Sequence, residues 1–193
     1  EERIAAEAAF NKKIAPIDFT DSKQRLEWLT ALRQAVLASK IISYAQGFML
    51  MREASEEHRW DLNYGNVAMM WRGGCIIRSS FLGNIRDAYA NDPEHVFLGM
   101  YPYFKAILDQ SISGWRKICA KSIEVGLPMP CMTSALTFLD GYTTARLPAN
   151  MIQAQRDYFG AHTYERTDKK RGEFFHTNWT GQGGDTASTT YDV

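Results

Sequence analysis

A single helical pattern, running from about Lys23 to about His58, limits what this chain can fold into more than any other feature. Apolar side chains recur along it at steps of three, four and five residues, which is typical of a helix with a buried stripe. The stripe consists of Leu26, Leu29, Leu32, Val36, Ile41, Tyr44, Phe48 and Met51. With a rise of about 1.5 Å per residue, the helix is about 50 Å long and can cross a whole domain.

Shorter helical patterns follow the long one, and glycine and proline residues separate them. Helices are predicted over Tyr103–Val125, Cys131–Thr144 and Leu147–Phe159. The last of these has Pro148 at the expected first helical position and Gly160 just past its end, as helix termini favour. No alternation of apolar and polar residues is sustained, so the chain is predicted to be all-α, a multi-helix domain with one long central helix.

The order of the segments predicts a helical domain over residues 1–180 and a flexible tail over Gly181–Val193 (GQGGDTASTTYDV). Glu57–Gly73 and Glu124–Gly141 each combine a helix end, a turn and an apolar helix ending in glycine, which suggests a duplicated helical unit. Segments of this kind also resemble one another by chance. The charged, alanine-rich start (EERIAAEAAF) is typical of the middle of a helix, so we expect a further domain to precede it.

Charge and motif content exclude several classes of function. The chain has 22 basic and 22 acidic residues, so no net positive field attracts nucleic acid or an anionic membrane. No apolar run approaches the roughly 20 residues that span a bilayer, and the start does not have the pattern of a signal peptide. Three cysteines without CxxC or Cys/His spacing indicate free thiols in a reducing compartment, the cytoplasm, and no metal site. No glycine-rich phosphate motif follows a strand, so this chain is not expected to carry a dinucleotide-binding fold of its own.

The sharpest candidate binding pair is Arg156 with His162. Arg156 lies in the last turn of a predicted helix, and His162 lies just beyond the Gly160 stop. A sharp reversal there can direct both side chains to one spot, where the arginine grips a phosphate through two N–H donors and the histidine adds a third. The alternative is that Arg156 pairs with Asp157 or with the carbonyls of the helix end, and that His162 is an ordinary surface residue.

Four further cations are distributed over two segments. Arg33 and Lys40 are seven residues apart on one face of the long helix, and Arg72 and Arg78 flank Gly73-Gly74. The first two are either ligand contacts or long side chains at an exposed edge. The paired glycines, read as part of a helical stretch, indicate close helix packing more than a ligand site.

Several stretches occur in an order that identifies a family. They are Ala38–Phe48 (ASKIISYAQGF), Leu62–Trp71 (LNYGNVAMMW), Trp71–Ser79 (WRGGCIIRS), Arg146–Tyr164 (RLPANMIQAQRDYFGAHTY) and His176–Gly184 (HTNWTGQGG). On these stretches the chain resembles the helical C-terminal domain of the 6-phosphogluconate dehydrogenases. The likeness runs from the first residues to the tail.

The resemblance implies an activity and a cofactor. Enzymes of this family oxidise 6-phosphogluconate with NADP and decarboxylate the 3-keto intermediate to ribulose 5-phosphate, in the pentose phosphate pathway and in gluconate utilization. It also implies that the NADP-binding Rossmann domain and the lysine and glutamate that act as base and acid precede residue 1. No catalytic residue is therefore expected in this chain, and the fragment alone is expected to be inactive.

The same resemblance assigns the binding residues of this chain. Arg33 is expected to bind the substrate phosphate within its own subunit, whereas Arg156 and His162 reach into the active site of the partner subunit of a homodimer. The end of the tail, Ser188, Thr189, Thr190 and Tyr191, is expected near the partner's NADP. Thr189 and Thr190 replace the serines expected there, and Gln182 stands where histidine is expected.

A purely structural helical dimerisation module is the competing interpretation. Composition does not separate the two. The set of Arg33, Arg156 and His162, together with the family stretches, favours the ligand-binding domain, because a structural module has no need for all three.

Overall fold

The chain is described here by a computed structural model that covers residues 1–19 and 21–181. Its helices are α1 (Glu2–Phe10), α2 (Ser22–His58), α3 (Tyr64–Met70), α4 (Leu82–Asn91), a 3₁₀ turn (Leu98–Met100), α5 (Pro102–Glu124), α6 (Pro130–Tyr142) and α7 (Ala149–Gly160). Two short strands, β1 (Tyr164–Glu165) and β2 (Phe174–Phe175), pair antiparallel. The all-α prediction is confirmed.

The chain divides into two units, Glu1–Asp140 and Gly141–Val193. Unit 1 contains the hydrophobic core, where α2 packs against α5 and α3 packs against α4. Unit 2 contains α7 and the two strands. The boundary predicted at residue 180 stays a prediction, as does the duplicated helical unit.

The long helix has the length that its pattern predicts. The sequence offers Thr20 or Asp21 as the residue that caps its first turn, and Thr20 lies outside the described residues. Asp21 is the cap, since its carboxylate accepts the N–H of Gln24 at 2.8 Å. Arg59 takes a left-handed conformation (φ 56°) and ends the helix. Among the described helices, none is both long and apolar enough to cross a bilayer.

The buried face of α2 differs from the predicted stripe in the first half of the helix. Ile41 and Phe48 are buried and Tyr44 is half-buried, but Leu26, Leu29, Leu32 and Val36 are exposed by 39–65%. The buried residues there are Ala31, Ala35 and Ala38. The reason is steric: α5 packs so closely on this face, with Gly114 against Ala31, that only small side chains fit.

Tryptophans occupy different environments. Trp115 is fully buried and donates its indole N–H to the Met132 carbonyl oxygen at 3.2 Å, which fastens α5 to the start of α6. Trp28 and Trp71 pack against the core. Hydrophobicity predicts that Trp60 packs in the core like the other three, but it is 57% exposed, because it lies beyond the end of α2, where its ring contacts His58.

The loop after α3 corrects a second expectation. The helix ends at Met70, so Gly73 and Gly74 lie in a loop and not within a helical stretch. Gly74 has a φ of 71°, a conformation that side chains disfavour, which explains a glycine there. A Cβ added at either glycine meets nothing within 4 Å, so close helix packing, as inferred from the sequence, does not account for the pair.

The α2–α5 contact generates a prediction with a matched control. Ala at position 114 would place a Cβ against the Gln34 amide oxygen and 3.0 Å from the Ala31 Cα, and Gln34 is held by its bond to the Gln110 carbonyl. We expect Gly114→Ala to destabilise the chain by about 1–2 kcal/mol, despite the better helix propensity of alanine. Gly47, also helical, has nothing within 4 Å, so Gly47→Ala should stabilise by about 1 kcal/mol. Thermal unfolding by circular dichroism measures both, and equal shifts in Tm would contradict the packing argument.

Candidate functional site

Helix α7 carries Arg156, and it begins two residues later and ends one residue later than the predicted span Leu147–Phe159. Pro148 is the capping residue and not the first helical residue, and Gly160 is the last residue of the helix. The stop is Ala161, with a φ of 50°, whose N–H donates to the Asp157 carbonyl at 2.9 Å. Alanine rarely adopts this conformation, so tertiary contacts, which the sequence pattern does not reveal, set the end of this helix.

The reversal after α7 brings Arg156 and His162 together. The Arg156 Nη2 and the His162 Nδ1 lie 3.5 Å apart, and both side chains are exposed. In the part of the chain that the structure describes, Arg156 forms no ion pair with an acidic side chain. The alternative in which Arg156 pairs with Asp157 is therefore wrong, because other groups occupy that carboxylate. An arginine and a histidine that share one spot and face solvent can bind an anion.

Asp157 is the centre of the hydrogen-bond network in this unit. Its carboxylate is 0% exposed. Oδ1 accepts from the Thr163 N–H and the His176 Nδ1, both at 3.0 Å. Oδ2 accepts from the Thr177 N–H at 3.0 Å and the Trp179 Nε1–H at 2.8 Å.

These donors keep Asp157 ionised in spite of its burial. Burial by itself raises the pKa of the Asp157 carboxyl, but the hydrogen bonds from Thr177, His176 and Trp179 outweigh it and bring the pKa below its ordinary value of 3.8. The result is a buried anion one residue away from the exposed Arg156. It ties the end of α7 to the segment that leads to residue 181.

A second group of cations lines a cleft in unit 1. The cleft has a volume of about 920 Å³ and is bordered by Leu29, Leu32, Arg33, Val36, Leu37, Lys40, Arg72, Arg78, Ser79, Ser80 and Phe81. The Lys40 Nζ donates to the Arg78 carbonyl at 3.3 Å. Among the described residues, none of the four cations forms an ion pair, so the cleft concentrates uncompensated positive charge. The loop at Gly73-Gly74 thus places Arg72 and Arg78 beside the face of α2 that carries Arg33 and Lys40.

Another cleft in the same unit is electrostatically different. It measures about 810 Å³ and lies beside the end of α2. Two of its arginines are paired with acids, Arg52 with Glu53 and Arg86 with Asp87. Because these charges are neutralised locally, this cleft is a weaker candidate for an anion than the one that contains Arg33.

The structure does not test the expected contacts of the C-terminal tail. Ser188, Thr189, Thr190 and Tyr191 lie outside the described residues, as does Gln182. Within residues 1–19 and 21–181, no group of three or more His, Cys, Asp or Glu side chains is arranged to hold a metal ion.

Comparison with known proteins gives the family. The model of the 6-phosphogluconate dehydrogenase C-terminal domain matches residues 1–179. The chain belongs to this family. The 6-phosphogluconate dehydrogenase, decarboxylating, of Haemophilus influenzae is 69% identical to it over 193 residues, which are all of this chain and 39% of that protein. The enzyme of the same name from Rattus norvegicus is 53% identical over the same length.

A solved structure agrees with these relatives. Plasmodium falciparum 6-phosphogluconate dehydrogenase superposes with a TM-score of 0.84 at 39% identity, over 92% of this chain and 37% of that one. That protein was studied in its apo form and in complex with its cofactor NADP+ and with its substrate 6-phosphogluconate. The family's C-terminal domain fold is thereby established for this chain, which spans about two fifths of the length of the curated relatives it matches.

The sequence did not reveal the structural role of Asp157, which was considered only as a possible partner of Arg156. A weak signal was present nonetheless. An acidic side chain in the last turn of a helix interacts unfavourably with the helix dipole, so a compensating interaction is needed there. Its four donors, from residues 163 to 179, become visible only once the chain has folded back.

Proposed function

We propose that this chain is part of the C-terminal domain of an NADP-dependent 6-phosphogluconate dehydrogenase that oxidatively decarboxylates 6-phospho-D-gluconate to ribulose 5-phosphate in the cytoplasm. The relatives that carry this name, and the P. falciparum enzyme with its NADP+ and 6-phosphogluconate complexes, support the proposal. In it, this part of the enzyme supplies a dimer interface and contacts to the substrate phosphate. The competing structural module gives no role to the exposed Arg156–His162 pair.

The placement of Arg156 beside His162 is the observation that carries the proposal. The substrate has a dianionic phosphate at one end, and a guanidinium with a neighbouring imidazole supplies charge-assisted hydrogen bonds to such a group. Arg156 is on a helix and has no competing acidic partner among the described residues. Binding the phosphate end orients the remote carbons for hydride and proton transfer elsewhere in the enzyme.

Arg33 is proposed as a second phosphate contact, provided by the subunit that binds the substrate. Two observations support this contact. The cleft that Arg33 lines is large enough for a phosphate group, and three further cations line it as well. Lys40 is fixed by the Arg78 carbonyl, so part of this positive lining is already ordered.

A homodimer with shared active sites is part of the same proposal. Helix α7 exposes Met151, Ile152 and Phe159 by 60–90%, so the element that carries Arg156 has an uncovered apolar surface. Such surfaces usually mark interfaces. The exposed side of α2 is a second uncovered apolar surface. The tail residues Ser188, Thr189, Thr190 and Tyr191 are proposed to reach the partner's NADP.

Substitution of Arg156 tests the phosphate contact. In the full-length enzyme, Arg156→Ala should raise the KM for 6-phosphogluconate at least about tenfold, since a charge-assisted hydrogen bond is worth roughly 1.5–3 kcal/mol. Arg156→Lys should restore only part of the loss, because a point charge cannot reproduce a two-pronged grip. The KM for NADP should not change. Lys169→Ala, which removes an exposed cation from the same unit, is the control, and an equal effect there would refute a specific contact.

Arg33 requires a separate experiment. Arg33→Ala in the full-length enzyme should raise the KM for 6-phosphogluconate about tenfold. Arg25→Ala removes a cation from the same helix that does not line the cleft and should leave KM as it is. Steady-state kinetics with both substrates measure the effect. If Arg33→Ala behaves like the control while Arg156→Ala does not, the cleft does not hold the phosphate.

Mixed dimers test whether Arg156 acts across the interface. One subunit carries Arg156→Ala, and the other lacks its catalytic lysine, which the family resemblance places upstream of this chain. The lysine-deficient subunit still contributes its intact Arg156 to the active site of the first subunit. Mixing the two weakly active parents should therefore restore about half of the sites in each mixed dimer. Confirmed subunit exchange without recovered activity would contradict a shared site.

A further inference from the structure

The turn between α7 and β1 has a conformation that its own residues disfavour. Ala161 and Thr163, on either side of His162, have φ values of 50° and 62°. Residues other than glycine rarely occupy this left-handed region, and they remain there only when their surroundings hold them. The position of His162 is therefore set by contacts outside the turn.

Asp157 provides the contact that holds the turn. Its Oδ1 accepts the Thr163 N–H at 3.0 Å, and its own carbonyl accepts the Ala161 N–H at 2.9 Å. Both ends of the reversal are thus bonded to one residue of α7. A further support is the bond from the Gln153 side chain to the Thr163 carbonyl at 3.2 Å.

The same carboxylate fixes the later segment from His176 to Trp179. Thr177 and Trp179 donate to Oδ2, and His176 meets Oδ1. Trp179 also packs edge-on against Tyr158, at 6.4 Å between ring centroids. Since each oxygen accepts two hydrogen bonds, only a carboxylate satisfies all four donors.

We infer that Asp157 is a positioning residue that holds Arg156 and His162 in the arrangement in which they bind the substrate phosphate. The inference rests on the proposed function, because it gives Asp157 an effect only through those two side chains. Arg156 is its neighbour in the sequence, and His162 is held within the turn that Asp157 closes. A fully buried anion that is saturated with donors is a rigid support for the exposed side chains of Arg156 and His162.

Asp157→Asn in the full-length enzyme tests this role. The replacement keeps the size of the side chain but puts an NH₂ group against a backbone N–H donor, that of Thr163 or that of Thr177. We expect the KM for 6-phosphogluconate to rise about tenfold, with a smaller change in kcat and none in the KM for NADP. Asp168→Asn is the matched control, because Asp168 is an exposed aspartate of the same unit that pairs with Arg166. It should change none of these constants.

A double-mutant cycle separates positioning from general structural support. In a background with both Arg156→Ala and His162→Ala, Asp157→Asn should raise KM no further, because the groups that it positions are gone. An undiminished effect in that background would overturn the inference. So would a normal KM for Asp157→Asn in an enzyme whose KM is raised by Arg156→Ala. Unaltered KM for Arg156→Ala and His162→Ala would instead refute the proposed phosphate contact itself.

Trp179→Phe covers the case in which Asp157→Asn fails to fold. It removes one donor to Oδ2 and retains an aromatic ring against Tyr158. We expect a rise in the KM for 6-phosphogluconate of about two- to fivefold, which should disappear when Arg156 and His162 are both alanine. A KM equal to that of the unaltered enzyme would count against Asp157 as the support of the pair.

Discussion

Helices α2 and α5 meet through small residues, and the closeness of this contact determines which side of each helix is buried. Ala31 of α2 lies so near Gly114 of α5 that a single added methyl group meets the backbone. Large apolar side chains do not fit there, so Leu29, Leu32 and Val36 lie on the other side of α2, where they are exposed. The core of unit 1 and its open apolar surface are two consequences of one steric constraint.

Four cations that form no ion pair among the described residues lie on that open surface. Arg33 and Lys40 project from the side of α2 that carries Leu29 and Val36, and the loop after α3 adds Arg72 and Arg78. An apolar surface with uncompensated charge is typical of a part of a protein that operates against another surface or an anionic ligand.

In unit 2 a buried charge has the role that apolar packing has in unit 1. The described part of this unit has little apolar interior: Asp157 is its one buried residue, and Met151 and Phe159 are exposed. Hydrogen bonds from four donors satisfy the Asp157 carboxylate and connect α7 to the turn before β1 and to the segment after β2. A network of this kind depends on every partner, because an unsatisfied buried carboxylate is costly. It orders a short segment precisely without a large core.

The sequence by itself determined the all-α class and the span of α2, and it narrowed the cap of α2 to Thr20 or Asp21, because these depend on local periodicity and on one side chain near its own backbone. It also singled out Arg156 and His162, whose spacing across a helix end is local. Only the tertiary structure decided that alanines and not leucines face α5, and that Trp60 is exposed. The apolar pattern shows that a side chain is hydrophobic, whereas its burial depends on which neighbouring helix packs against it. The tertiary structure also determines the role of Asp157, because its donors lie up to 22 residues away along the chain and reach it only after the chain reverses at Ala161.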